Sequence, residues 1–217
     1  MKTPDPSSSA PSPKRPRAKT KLALMEAGLT LLAERPVDSL SIDEIVEAAS
    51  VAKGSFFYHF ADKQSFAREI AAAVREEVEA TVSHVNRGVE DPAQRVARGI
   101  GQFVLFALNE PEKATIVATA DWRSADPHHV LNAGLRADLT LGLKTGRFDC
   151  RDVDAAMLNL IGVTNLLIGK ILFDRLSAAQ TRPLFTSVIS FAFRGLGLAP
   201  VEAERLLDGV AAELLHD

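Results

Sequence analysis

Apolar side chains recur every three or four residues along most of this chain, which is the spacing of one buried face of an α-helix. The first such segment covers about residues 19–35 and ends before Pro36, because proline cannot continue a helix. Its apolar face is formed by Leu22, Met25, Leu29 and Leu32. No stretch shows the strict alternation of a β-strand, so the pattern predicts an all-α fold.

A long apolar repeat at about residues 62–85 predicts a helix that links an N-terminal head to a C-terminal body. Prolines lie near the starts of several later segments, where proline fits the first helical turn, and glycines lie near several ends. These later helices are predicted at about residues 92–109, 111–123, 127–144, 151–175, 178–195 and 200–216.

Residues 41–66 combine a helix, a tight turn, a short second helix and the start of a third. Ser41 is a good N-cap, and Glu44 three residues later completes a capping box that opens the first helix. After a turn at Ser50, residues 53–60 mix hydrogen-bond donors with aromatic rings. A short helix of this kind suits the major groove of DNA, where donors reach base edges.

The start of the third helix adds a candidate phosphate site. Asp62 offers an N-cap and places Lys63 in the first turn, where the helix N-terminus and the ammonium are expected to bind a phosphate together. The full set of candidate DNA-binding residues is Ser41, Lys53, Gly54, Ser55, Phe56, Tyr58, His59 and Lys63.

This stretch resembles the helix-turn-helix signature of TetR-type transcriptional regulators. The agreement follows the pattern S-I-x-x-I-V-x-x-A-x-V-A-K-G-S-F-F-Y-H-F-x-x-K-x-x-F. The resemblance implies an all-α homodimer with an N-terminal three-helix helix-turn-helix DNA-binding domain and a C-terminal helical effector-binding and dimerisation domain. The corresponding boundaries are a disordered Pro/Ser-rich basic tail at 1–17, the DNA-binding domain at 18–66 and the body at 67–217.

Three residues depart from the family pattern. Ser50 stands where the family usually has the turn glycine, and a positive φ at that position would strain a serine. Ala52 replaces the usual serine or threonine cap of the recognition helix, which removes about 1 kcal/mol of local stability. Phe57 aligns with a tyrosine whose hydroxyl usually meets a phosphate, so Tyr58 is expected to make that contact instead.

Composition places positive charge locally rather than throughout the chain. The net charge of the 217 residues is −3, while the first 66 residues carry nine basic and eight acidic side chains. Five of the basic residues precede or begin the first helix: Lys14, Arg15, Arg17, Lys19 and Lys21. They are interpreted either as an arm that reaches phosphates or the minor groove, or as a solvated tail, and DNA affinity is expected to fall with salt.

Residues 155–169 contain no charge and are apolar almost all round, which predicts burial on two sides. A membrane span is disfavoured because this run has 15 residues, whereas a bilayer needs about 20. Gly162 and Gly169 allow close helix approach, so this helix is expected at a twofold seam. The helix after it is expected to contribute Phe185, Val188, Ile189, Ala192 and Phe193 to the same seam.

The effector site is harder to predict, because pocket linings and ordinary cores share residue types. The candidates are large apolar residues and polar groups on the apolar helix: Phe103, Phe106, Trp122, Phe148, Asn159, Thr164, Asn165 and Leu167. Core packing and helix-to-helix hydrogen bonds would explain the same residues. His128 and His129 are adjacent and point apart on a helix, so no metal or other cofactor is expected.

The sequence contains no nucleophile elbow, phosphate loop or zinc spacing, so no enzyme is predicted. A single cysteine, Cys150, suits a reducing cytoplasm. The predicted function is a repressor that binds a palindromic operator as a homodimer and is released by a small, largely apolar effector. Two alternatives remain: an effector-blind constitutive or architectural DNA-binding protein, and a ligand-carrying or catalytic helical protein with a vestigial head.

Overall fold

The computed structural model describes residues 17–118 and 126–216. Ten α-helices and two 3₁₀ turns, Val37–Ser39 and Val130–Asn132, account for most of this part of the chain, and it contains no β-strand. The helices are α1 Arg17–Glu34, α2 Ile42–Ala48, α3 Lys53–His59, α4 Lys63–Val85, α5 Pro92–Asn109, α6 Pro111–Ala118, α7 Ala133–Lys144, α8 Val153–Asp174, α9 Ala178–Gly195 and α10 Pro200–Leu214. The predicted all-α fold class is confirmed.

The head is formed by α1, α2 and α3 packed against the first turns of α4 around a small aromatic centre. The rings of Phe56, Phe60 and Phe66 lie in mutual edge or tilted contact, with centroids 4.9 to 5.5 Å apart. Gly28 lets α1 approach α4 closely, since a Cβ there would lie 2.3 Å from both Ile70 and Phe66. The head core therefore reaches along α4 beyond the predicted boundary at residue 66.

The body is built around α5, which packs against α4, α6, α7, α8 and α10. Its core contains the fully buried side chains of Met157, Phe185, Phe193 and Leu207. Arg147 ties the start of α5 to α10, because it contacts Asp91 at 2.8 Å and Glu202 at 2.8 Å. The helices of the body therefore surround one core of aliphatic and aromatic side chains.

Helix α6 connects the two parts of the chain. Ile116 is buried in the head cluster with residues of α1, α2, α3 and α4. Ala114, from the same helix, packs with Ala107 and Ile168 in the body. One short helix therefore contacts the head core and the body at once.

Most predicted helix limits agree with the structure within one to three residues, but two segments differ. The helix predicted at 127–144 begins only at Ala133, because the His129 side chain caps the 3₁₀ turn Val130–Asn132 by accepting from the Leu131 amide at 3.2 Å. The described part of the segment predicted at 111–123 ends at Ala118.

Helix α8 is long and apolar enough, by length and composition, to cross a membrane. In this fold 44% of its most apolar window is buried against other helices. It packs on α5, α6, α7 and α9.

Candidate nucleic-acid interface and effector cavity

The turn between α2 and α3 is held by local backbone bonds. The Val51 amide donates to the Val46 carbonyl at 3.0 Å, and the Ser50 amide donates to Glu47 at 2.9 Å. This geometry gives Ser50 a φ of 52°, in the left-handed region that favours glycine. The positive φ considered from the sequence is confirmed, and the serine is strained there.

Helix α3 starts without a side-chain cap. Ala52 occupies the N-cap position and makes no side-chain hydrogen bond, as its methyl group dictates. The helix is held instead by the bond from the Ser55 amide to the Ala52 carbonyl at 2.8 Å and by the packing of Phe56. Its position therefore depends on the aromatic core beneath it.

The solvent face of α3 carries Lys53, Gly54, Phe57 and Tyr58, while Ser55 and His59 are half-buried at its edges. Phe56 was predicted to contact DNA, and the structure corrects this, because its side chain is 0% exposed at the head centre. Phe57 was not among the predicted contacts, yet it lies on the same open face as Tyr58. Aromatic residues occupy both sides of this helix, so residue type alone could not assign them.

Tyr58 is 61% exposed and is the most prominent polar aromatic residue of this surface. The guanidinium of Arg17, at the start of α1, lies 5.1 Å from its ring centroid, within cation–π distance. His59 contacts the same ring edge-on at 4.9 Å. Arg17 therefore places one positive charge of the predicted basic arm beside α3, while residues 14 and 15 lie outside the described residues.

Lys53 also lies on this surface and pairs with Asp43 of α2 at 2.8 Å, with both side chains largely exposed. An exposed pair of this kind contributes at most about 1 kcal/mol, so a phosphate competes with it readily. Lys53 thus remains available for a backbone contact.

Two predicted DNA contacts also have structural roles. The ammonium of Lys63 donates to the carbonyls of Asp38 at 2.8 Å and Leu40 at 3.0 Å, which fastens α4 to the loop before α2. Ser41 caps α2: its hydroxyl accepts from the Glu44 amide at 3.2 Å, and the Glu44 carboxylate accepts from the Ser41 amide at 2.8 Å. The Lys63 ammonium keeps a third N–H for a phosphate, so this contact stays a prediction, and Ser41 forms the predicted capping box.

The capping box changes the acidity of its carboxyl group. Hydrogen bonds from the Ser41 amide and hydroxyl, with a further bond from Arg35 at 3.0 Å, lower the pKa of Glu44 from 4.5 to about 2. A matching box opens α4, where the Asp62 side chain accepts from the Ser65 amide at 2.6 Å and this bond lowers the pKa of Asp62. In both caps the hydrogen bonds favour the ionised carboxylate over the protonated carboxyl group.

A cavity of about 140 Å³ lies in the body between α4, α5, α6, α7 and α8. Four of the predicted effector residues line it: Phe103, Phe106, Thr164 and Asn165. Its described wall is otherwise mainly aliphatic, from residues such as Val78, Ile100, Leu135, Leu160 and Ile168.

Three of the predicted effector residues lie elsewhere. Phe148 is buried against Gly142, where a Cβ would lie 2.0 Å from its ring. Leu167 is a core residue of α8, and Asn159 is exposed on the outer face of the same helix. The remaining candidate, Trp122, lies outside the described residues.

The charged lining of the cavity was missed by sequence reasoning. Arg95 donates to Asp138 at 2.6 Å, and Arg75 lies 3.6 Å from Glu79 and donates to Asn132 at 2.5 Å. Burial lowers the pKa of Arg75 and raises those of Glu79 and Asp138. In the sequence, Arg75 and Glu79 have the spacing of an ordinary surface pair, so nothing marks them as buried.

The two histidines considered for a metal have other contacts. His129 caps a turn, and His128 lies 3.3 Å from Asp154 on an open surface. Within residues 17–118 and 126–216 no three metal-ligating side chains come together.

Residues 24–70 match the family of bacterial regulatory proteins called tetR. The transcriptional regulator AcuR of Cereibacter sphaeroides is 46% identical over 44 residues, so the chain spans only 20% of that relative's length. The structure of RolR in complex with resorcinol is similar over 88% of this chain and 94% of that one, with a TM-score of 0.71 and 26% identity. FadR from Bacillus subtilis, solved with stearoyl-CoA, has the same fold, with a TM-score of 0.63, 14% identity and coverage of 80% and 98%.

A helix-turn-helix head joined by one continuous helix to an all-helical body defines a class of DNA-binding transcriptional regulators. Residues 24–70 match the TetR family of bacterial regulatory proteins, and the fold of the whole described chain is similar to that of RolR. This family consists of regulators and not of enzymes.

Proposed function

We propose that the protein is an effector-responsive repressor that binds a palindromic operator as a homodimer. The observation that carries the proposal is the exposed face of α3, which presents Lys53, Gly54 and Tyr58. This helix belongs to a head whose sequence matches the tetR family model. Side chains of this kind on one exposed helix suit base edges and phosphates of the major groove.

An exposed apolar stripe on α8 and α9 supports dimerisation. Leu158, Leu166 and Phe173 on α8 and Phe191 on α9 are all more than half exposed in the single chain. Several large apolar side chains exposed on two packed helices are typical of a protein–protein contact surface.

The glycines of α8 support the same surface. A Cβ added at Gly162 or Gly169 would meet nothing within 4 Å in the chain itself, so no intramolecular contact requires glycine there. Close approach of a helix from a second copy would require it. The residues predicted for this seam on α9 are wrong in part. Phe185, Ile189, Ala192 and Phe193 are buried inside the chain, and the open side of α9 presents Phe191 instead.

Helix α6 supplies a route from the cavity to the head. Ala114, Val117 and Ala118 line the cavity, while Ile116 is part of the head core. A ligand that shifts α6 would therefore move the packing against α1 and α4, on which the position of α3 depends.

The cavity supports an effector over the effector-blind alternative. A tightly filled body would fit a constitutive DNA-binding protein, whereas this body contains a lined cavity of about 140 Å³. The similarity to RolR, whose structure holds resorcinol, supports an effector of single-ring size. The ligand-carrier alternative is disfavoured because the α3 surface is intact.

Selection of duplexes from a random pool, followed by footprinting, tests the DNA-binding proposal. We expect an inverted repeat whose half-sites are centred about one DNA turn apart, roughly 34–36 Å. A melting scan against a metabolite library tests the effector: a compound that raises the melting temperature should also dissociate the selected duplex. Failure to enrich any duplex would overturn the proposal, and a body that responds to no compound would favour the effector-blind protein.

Tyr58→Ala gives a residue-level test of the DNA surface. We expect operator affinity to fall about tenfold, in line with about 1–3 kcal/mol for a specific contact, with little change in melting temperature because the side chain is exposed. Fluorescence anisotropy on the selected duplex measures the change. The matched control is Leu22→Ala, because Leu22 of α1 is 59% exposed although its spacing predicted the buried face. Equal affinity of Tyr58→Ala and the control would remove Tyr58 from the interface.

A further inference from the structure

The size of the cavity limits its occupant. A cavity of about 150 Å³ with apolar walls holds one benzene molecule in a protein interior. The cavity between α4 and α8 measures about 140 Å³, close to that volume, so it matches a single six-membered ring. A long acyl chain does not fit this volume.

One part of the wall suits an aromatic ring. Phe103 and Phe106 lie on successive turns of α5 at the cavity, with Ile100 one turn before and Ile161 opposite on α8. Aromatic pairs gain about 0.5–1.5 kcal/mol beyond the burial of their area, so a ring is favoured over an aliphatic group of equal size.

The charges of the described lining are balanced. Each guanidinium already faces a carboxylate: Arg95 bonds to Asp138 at 2.6 Å, and Arg75 lies 3.6 Å from Glu79. An anionic ligand would have to separate one of these pairs, and a cation would have to displace an arginine. Since separating a buried pair is costly, a neutral ligand is favoured.

Two acceptors on the cavity side of α4 can accept a further hydrogen bond. Asn86 is 2% exposed; its Nδ2 donates to the Arg95 carbonyl at 3.1 Å, but its Oδ1 accepts no bond from the described residues. The Glu79 carboxylate lies two turns earlier on the same face and pairs with Arg75 at 3.6 Å; its two oxygens can accept more hydrogen bonds than this one guanidinium supplies. Buried acceptors require donors, so a matching ligand brings a donating group.

We propose that the effector is a neutral single-ring phenol, with its ring against Phe103 and Phe106 and its hydroxyl donating to the Glu79 carboxylate. This inference rests on the proposed effector site and names its ligand class. Further hydroxyls on the ring, directed along α4 toward Ser83 and Asn86, would extend the same recognition.

Three probes of nearly equal size separate the possible ligand classes. Phenol has a ring and a donor, toluene has the ring without the donor, and benzoate has the ring with a negative charge. Each is titrated into the full chain by calorimetry, with the melting temperature as a second readout. We expect phenol to bind more tightly than either of the other two. Tighter binding of benzoate or toluene would overturn the proposal.

Glu79→Gln tests the assigned acceptor. We expect phenol affinity to fall about tenfold, as for a hydrogen bond to a charged group, while toluene affinity changes less than about twofold. Glu76→Gln, an exposed glutamate on the same helix, is the matched control and should alter neither. Equal losses for phenol and toluene would also overturn the proposal, because they would indicate a general disturbance of the cavity.

These measurements are independent of DNA. If phenol fails to bind while the protein still selects an operator, the ligand class is wrong and the regulator proposal stands. If phenol binds with the expected preference but no duplex is selected, the ligand class stands and the DNA-binding proposal fails.

Discussion

At the scale of single residues, the DNA-binding head carries a strained serine where its family usually has glycine. Ser50 has a φ of 52° and is exposed, so its side chain makes no packing contribution that offsets the strain. An L-residue in this region costs about 1–2 kcal/mol, which glycine avoids. The strain is local to the turn that sets the angle between α2 and α3.

Ser50→Gly is therefore expected to stabilise the protein by about 1 kcal/mol, because relief of the strain exceeds the extra entropy of glycine in the unfolded chain. Urea unfolding monitored by circular dichroism measures the change. Ser50→Ala is the matched control, since it alters the side chain but keeps the Cβ that causes the strain. A glycine variant no more stable than the alanine variant would show that the turn is not strained.

The types of residue in α3 predicted its DNA-binding surface only in part. The sequence placed Lys53, Gly54 and Tyr58 on the DNA side, and the structure leaves all three exposed. It also placed Phe56 there, but the ring fills the head core. Four of the five residues from 56 to 60 are aromatic, so more than one face of this helix could be the buried one. Only packing against α1 and α4 determines which rings are buried.

At the scale of elements, the helix N-termini were the most predictable features, because a cap depends on residues within one turn. The box of Ser41 and Glu44 was predicted from four residues of sequence and is formed in the structure. The absence of a cap at Ala52 was equally predictable. Both are local interactions that tertiary contacts do not have to complete.

The capping box predicts a pH dependence. The folded pKa of Glu44, about 2, lies below its ordinary value of 4.5, so its stabilising effect is present above about pH 4.5 and is lost as the pH falls toward 2. We expect the stability difference between the wild type and Glu44→Gln to shrink across this window. Urea midpoints measured from pH 7 to pH 2 test the expectation.

The control for this titration is Glu47→Gln, an exposed glutamate on the same helix that takes no part in the box. Its difference from the wild type should vary less with pH than that of Glu44→Gln. Parallel curves for the two variants would show that the box does not carry the acid sensitivity.

Helix α6 is expected to couple the cavity to the head. Ile116→Val removes one methyl group from the head core and should cost about 0.5–1.5 kcal/mol of stability. We also expect it to reduce the effect of a bound effector on operator affinity, because residue 116 of α6 then makes fewer contacts with the head core. Anisotropy titrations with and without the effector from the melting scan measure this coupling.

Ile45→Val is the matched control for α6. It removes the same methyl group from the same cluster, but from α2, which does not line the cavity. Its coupling should equal that of the wild type. Equal loss of coupling in both variants would assign the effect to head stability rather than to α6.

At the scale of the whole molecule, the proposed dimer depends on the exposed stripe of α8 and α9. Leu166 is 77% exposed and Phe191 is 70% exposed in the single chain. Replacing both by glutamate would place charges in a desolvated contact, which is strongly unfavourable. We expect the double variant to sediment as a folded monomer.

The operator affinity of this monomeric variant should be lower than that of the wild type by a factor on the order of 100 or more, because a single α3 reads only one half-site. Sedimentation and anisotropy measure the two effects. Val201→Glu, on an equally exposed position of α10 at 66%, should change neither. A double variant that remains dimeric would place the dimer contact elsewhere.

The sequence by itself determined the helices, their caps and the family of the head, because periodicity, N-caps and the residues of a short motif act over one or two helical turns. Tertiary structure alone decided which sides of the helices meet. It turned Phe56 inward, directed Phe191 outward, fastened Lys63 to two carbonyls and gathered Arg75, Glu79, Asn86 and Asp138 around one cavity. These outcomes depend on contacts between helices far apart in the chain, and no local pattern of charged or aromatic residues specifies which partner lies opposite.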